Sequence, residues 1–134
     1  MATPWEQIVL VEDDDLTVYE SRMPEIAKVP LEGSTVAPFT NKRQLAKDTL
    51  YRELSRRDID MNKLVDPMVL KTAAVFMELH LIFNDIGTRI EWAPAKTAYY
   101  GQQFDYEMKD VVILEEEDGE VQDKVTRATI IRRA

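Results

Sequence analysis

The stretch DPMVLKTAAVFMELHLIFNDIG, residues 66–87, decides the fold. Asp66 is an acceptor suited to an orphan amide two or three residues on. Pro67 suits a first-turn position whose N–H would have no partner anyway. Val69, Leu70, Ala73, Ala74, Phe76, Met77, Leu79, Leu81, Ile82 and Phe83 then follow, apolar nearly all round. This pattern predicts a buried central helix over 67–86, roughly 30 Å long at about 1.5 Å per residue, ending near Gly87. Leu70, Ala74, Phe76, Met77 and Leu81 are its expected core residues.

Upstream, Asn41 and Gln44 have capping-box spacing. Leu45, Leu50 and Leu54 fall roughly on one stripe, with Ala46 and Tyr51 beside it. The spacing predicts an amphipathic helix over about 42–56, with Lys42, Arg43, Lys47, Arg52, Arg56 and Arg57 on its other face. Residues 58–62 read as a turn. Nearer the start, Ile8 to Val11 read either as a short strand or as an arm that docks on another surface. The acids Glu12 to Asp15 suit a helix N-terminus. Leu16, Tyr19 and Met23 predict a helix over about 15–28, bent near Pro24. Residues 29–40, with Pro30, Gly33 and Pro38, read as a loop.

Downstream, Pro94 restarts a helix over about 94–109, with Ala95, Tyr99, Gln102 and Tyr106 as its apolar stripe, widened by Ala98, Phe104 and Met108. Val111 to Leu114 is a β-branched run. Glu115 to Glu120 form an acidic tip containing an Asp118-Gly119 turn, and alternation from Val125 to Arg132 suggests a returning strand. The expected fold is mainly α: a bundle of about four helices with a C-terminal β hairpin or extended arm. Residues 1–134 form one domain, with an N-terminal arm over 1–13 and a hairpin or tail over 111–134.

Composition narrows the chemistry. At 134 residues the chain is one domain's length. With no cysteine there is no disulfide, thiol nucleophile or cysteine zinc site, and one histidine, His80, makes no multi-histidine metal centre. The three serines lie outside any nucleophile-elbow context. An EF-hand frame fails on both acidic clusters: it needs glycine where Tyr19 stands, or a liganding oxygen where Leu114 stands. The four glycines form no phosphate cradle. No catalytic, cofactor or metal residues are therefore expected, and the reading is non-enzymatic. The most apolar stretch is interrupted by Lys71, Glu78, His80, Asn84 and Asp85, so no membrane span is expected. The first ten residues lack the basic start and apolar run of a signal peptide, which points to folding in a cytoplasm.

The net charge is −8, but it is uneven: residues 1–40 carry eight acids and two bases, whereas 41–66 carry seven bases and five acids. Acidity opposes free nucleic-acid binding. What remains is surfaces: an acidic N-terminal part, a basic helix face with Arg52, Arg56 and Arg57 as candidate subunit-interface residues, and a C-terminus ending in bases.

Four stretches, LTVYESRMPEIA (16–27), QLAKDTLYRELSRRDID (44–60), DPMVLKTAAVFMELHLIFNDI (66–86) and AYYGQQFDYEMKDVVILEEEDGEV (98–121), together resemble the head–tail connector, or adaptor, proteins of tailed bacteriophages and gene transfer agents. The likeness lies in a buried helix opening at Asp-Pro, a tyrosine-rich helix with Tyr99, Tyr100 and Tyr106, then a strand and an acidic turn, over about residues 14–125. The resemblance implies a homo-oligomeric ring beneath the portal in the virion neck, assembled in the bacterial host cytoplasm. Such a ring binds the portal protein and extends a channel through which DNA passes without specific binding. It also gives stopper or tail-completion proteins a platform. Arg127, Arg132 and Arg133 are the candidate portal-docking residues. A rival expectation shares the acidity and the lack of catalytic residues: an acidic regulatory binder, or nucleic-acid mimic, that blocks a host or phage protein. A small hydrolase using His80 with carboxylates is a more distant alternative.

Overall fold

The computed structural model describes residues 4–26, 39–87, 90–117 and 120–125. The described chain is mainly helical, with a 3-10 turn at Trp5–Gln7, α1 (Asp13–Tyr19), α2 (Met23–Ile26), α3 (Thr40–Ser55), a second 3-10 turn at Pro67–Leu70, α4 (Lys71–Ile86) and α5 (Ala93–Asp110). No described helix is long and apolar enough to cross a membrane. The expected 29–40 loop lies largely outside the described residues.

The central segment forms as its sequence demands, with one refinement. Asp66 Oδ1 accepts from the Met68 amide at 3.2 Å, and Pro67 opens the 3-10 turn before α4 begins. Ala73, Ala74, Val75, Phe76, Glu78, Leu79, Ile82, Phe83 and Ile86 are buried, so α4 is the spine of the core. Leu70, Ala74 and Phe76 lie in the core as expected, but Met77 and Leu81 are only half-buried. Gly87 caps the helix with φ −58°, a helical rather than left-handed conformation, and the turn continues as the Ile90 amide bonds the Ile86 carbonyl.

Helix α3 starts two residues earlier than expected and has no side-chain cap. Asn41 and Gln44 lie inside it, where Gln44 Nε2 donates to Asp48. Its buried stripe is Ala46, Leu50 and Leu54, whereas Leu45 and Tyr51 are nearly half-exposed. The helix ends in a left-handed cap: Asp58 has φ 61°, the Ile59 amide bonds the Leu54 carbonyl, and the Asp58 amide bonds that of Ser55. This cap returns the chain inward, so the expected turn at 58–62 buries Ile59 and Met61, followed by Leu64.

The expected helix over 15–28 is two pieces within the described residues. A proline inside a continuous helix would clash with the carbonyl four residues back, here that of Glu20. The chain instead leaves α1 at Glu20, with φ −136° and ψ 102°, and places Pro24 in the first turn of α2. In α5 the expected stripe is displaced around the helix. Ala95, Ala98, Tyr99, Gln102 and Tyr106 are exposed, whereas Phe104 and Met108 of the expected face are buried and are joined there by Ala93 and Tyr100. Tyrosine is amphipathic, and two of the three here keep their rings at the surface.

Ile8, Leu10 and Val11 are buried in an extended N-terminal arm whose docking partner is this chain's own α3. The helices hold the core, to which Ile113 adds one buried side chain. A C-terminal hairpin as a working arm belongs to the function proposed below.

A core test follows from the burial pattern. Leu79→Ala should cost about 2–5 kcal/mol in urea unfolding, as for a fully buried leucine, and half-buried Leu81→Ala clearly less. Equal losses would contradict the orientation of α4.

Candidate functional site

The six bases predicted for one face of α3 divide into two groups. Ala46, Leu50 and Leu54 face the core, and the bases nearest that stripe turn inward. Lys42 Nζ lies 2.9 Å from Asp85 at the end of α4. Lys47 Nζ donates to the carbonyls of Trp5 at 2.9 Å and Ile8 at 2.8 Å, and sits 5.0 Å from the Trp5 ring centroid. Burial lowers the pKa of Lys47. Trp5 is further fixed by its amide, which donates to Asn62 Oδ1 at 2.9 Å. Arg57 Nη1 donates to the Met108 carbonyl at 3.1 Å, on the last turn of α5.

Arg43 reaches furthest. Its Nη2 donates to Asp13 at the start of α1, and its Nε lies 3.4 Å from Glu78 Oε1 in the middle of α4. Glu78 is completely buried, and its Oε2 has no hydrogen-bond partner. Burial pushes the Glu78 carboxyl up to about 8, against the opposing pull of Arg43. Burial thus favours the protonated form of Glu78, in which the contact is a guanidinium hydrogen bond to a neutral acid. Burial works against the Arg43 charge, but Glu78 and Asp13 together raise its pKa. Beside this group, Asp15 accepts from the Glu12 amide at 2.8 Å and pairs with Lys71 at 3.0 Å, and both contacts hold its carboxyl below the usual range.

The remaining two bases lie on the outer side. Arg52 is exposed, with Nη2 3.5 Å from Thr49 Oγ1, and Arg56, with its side chain 73% exposed, is 3.5 Å from Glu53 on its own helix. Of the residues predicted for a subunit interface, Arg52 and Arg56 therefore share an outward edge, whereas Arg57 is turned onto α5. Arg127, Arg132 and Arg133 lie outside the described residues. The signal that separates the groups is helical phase relative to Ala46–Leu50–Leu54.

A second polar cluster, which sequence reasoning missed, joins α1 to α5. The Tyr100 ring lies between Phe76 and Phe83, at centroid distances of 6.0 and 5.7 Å. Its hydroxyl proton has two acceptors, the Tyr19 carbonyl at 3.1 Å and Glu20 Oε1 at 3.2 Å. Lys96 Nζ is also 2.9 Å from Glu20 Oε1. Burial, and then Glu20, raise the pKa of Tyr100. His80 has a structural place: its Nδ1–H donates to the Thr97 carbonyl at 2.9 Å, and its ring lies over Gly101, where an added Cβ would come within 2.9 Å of Nδ1. Among the described residues no group of three His, Asp or Glu side chains is arranged to hold a metal ion. Compared with family models, curated proteins and solved structures, the chain matches none.

Glu78 makes stability depend on pH. Its folded pKa, about 8, exceeds the ordinary value of 4.5. The native state thus holds a proton that the unfolded chain releases between those values, so stability falls as pH rises through that window. Urea unfolding of the wild type should weaken progressively from pH 5 to pH 8, and Glu78→Gln should flatten the profile. Identical profiles would show that Glu78 is ionised in the fold.

Proposed function

We propose that the chain is the ring-forming head–tail connector, or adaptor, of a bacteriophage neck: a structural, non-enzymatic virion protein that binds the portal, extends the DNA channel and seats stopper or tail proteins. The observation that carries this reading is the presence of separate exposed basic and acidic patches on one helical domain. Arg52 and Arg56 form an outward basic edge on α3, while Glu12, Asp13 and Asp14 are exposed at the start of α1. Different, complementary surfaces on one subunit suit head-to-tail contacts, which close into rings. The mainly helical fold agrees with the resemblance of the sequence.

Two further features support the reading. An acidic chain can line a channel that repels phosphates, so that DNA slides rather than binds. In this reading residues 111–134 form a lone two-stranded hairpin or extended arm. An isolated hairpin is marginal in water, so partner docking is its natural support. In the proposed neck, Arg127, Arg132 and Arg133 meet portal carboxylates.

Mass photometry and negative-stain imaging of the purified protein, alone and with portal rings, test this directly. Rings in either setting support a connector. A monomer or dimer in both overturns it and favours the acidic regulator. Within the connector reading, reversing Arg52 and Arg56 to Glu should block ring formation while the melting curve stays close to wild type, because exposed charges contribute little to stability. Deleting 124–134 should leave the helical domain folded and weaken co-sedimentation with portal rings; undiminished co-sedimentation would remove the tail from the docking surface.

A further inference from the structure

The junction of α1, α3 and α4 contains an arrangement that core packing does not require. Glu78 is a carboxyl with no exposure and an oxygen without a partner, in a helix that is otherwise apolar on its buried side. Beside it, Arg43 is shared between this acid and Asp13 on α1. An apolar residue of similar size would fill the space without desolvating a polar group.

We propose that Glu78, Arg43 and Asp13 form a proton-set latch that holds α1 against the helical core while Glu78 is protonated and loosens it when Glu78 ionises. The charge count around the junction explains the direction. The charged groups around Glu78 are Arg43 from α3 and Asp13 and Asp15 from α1, and Asp15 is in turn bound to Lys71, two turns earlier than Glu78 on α4. The other nearby charges are already paired: Lys42 of α3 with Asp85, and Lys96 of α5 with Glu20. With Glu78 neutral, two carboxylates on α1 balance Arg43 and Lys71. With Glu78 ionised, three carboxylates share those two cations, and the new negative charge competes for Arg43 while repelling Asp13 and Asp15.

The weakest member determines what moves. Asp13 is 70% exposed, so its bond to Arg43 is screened by solvent, whereas Glu78 is dry. An ionised Glu78 therefore draws Arg43 inward, and Asp13 is released. Helix α1 is short, has one buried side chain, Leu16, and is anchored at its far end by the Tyr19 carbonyl on Tyr100. Loosening thus begins at its N-terminus. The burial that pushes the Glu78 carboxyl up to about 8 places the transition just above neutrality.

The test is an NMR pH titration of the full chain from pH 6 to pH 9.5, following the Glu78 side-chain carboxyl carbon together with the backbone shifts of α1 and α5. The expected result is one alkaline midpoint shared by Glu78 and residues 13–17, whose shifts move toward random-coil values while those of 100–108 stay fixed. Glu78→Gln should remove the transition in α1. Asp13→Asn provides a second reading on a solvent-exposed site: residues 13–17 should be loosened already at pH 6, and the Glu78 midpoint should fall, because the Asp13 charge that raises it is gone. Titration of Glu78 below pH 6, titration without movement of α1, or an unchanged α1 transition in Glu78→Gln would each overturn the latch.

Discussion

The position of Tyr100 is the constraint on which the arrangement of the helices depends. It is 2% exposed, its ring lies between two phenylalanines of α4, and its hydroxyl reaches the chain just beyond α1. A buried phenol needs an acceptor, and the acceptors here are the Tyr19 carbonyl and Glu20. Glu20 can serve because helix α1 stops there. Had the helix continued, Glu20 would lie elsewhere on its surface, and Lys96 would lose its partner as well. The break enforced by Pro24 therefore does more than end a helix: it turns an acid inward to meet a phenol and an ammonium on α5. The ring contacts continue on both sides, from Tyr19 edge-on to Phe76 to Trp92 edge-on to Phe83, with the Arg22 guanidinium 4.3 Å from the Trp92 ring centroid.

Helix α3 binds the domain by a different means. Lys42, Arg43, Lys47 and Arg57 emerge beside its apolar stripe, and each long stem carries a charge to a different neighbour: the end of α4, the start of α1, the N-terminal arm and the end of α5. A chain with net charge −8 thus commits much of its positive charge to internal contacts. Its outward basic character is correspondingly narrow and rests on Arg52 and Arg56 within this helix.

Much of this was legible in the residues. Asp66-Pro67 and the apolar run behind it specify the central helix because capping chemistry and burial act locally. The helical class follows from period alone. Periodicity was less informative where the side chains are amphipathic. Tyr99 and Tyr106 mark a stripe as plausibly as Tyr100, and only the hydroxyl acceptors offered by a distant segment select Tyr100 for the interior. Likewise Leu45 and Ala46 are equal candidates for the α3 stripe until Ile59, Met61 and Leu64 fold back beneath it. The left-handed cap at Asp58 that sends them there leaves a faint trace in the sequence, since aspartate tolerates that conformation without requiring it. The polar network was hidden for the same reason. Glu78 looks like a solvent-facing interruption of an apolar run, and its burial depends on an arginine 35 residues away.

The close association of α4 with α5 carries a consequence for the order in which the molecule assembles. These helices are neighbours in sequence and pack more extensively than any other pair, so their hairpin closes a short loop at small entropic cost. Helix α1 has the opposite problem. Trp5 and Ile8 find Lys47 and Asn62 soon after, but Tyr19 and Glu20 at the end of α1 meet Tyr100 only 81 and 80 residues later. During synthesis the end of α1 therefore lacks its anchor until α5 has emerged.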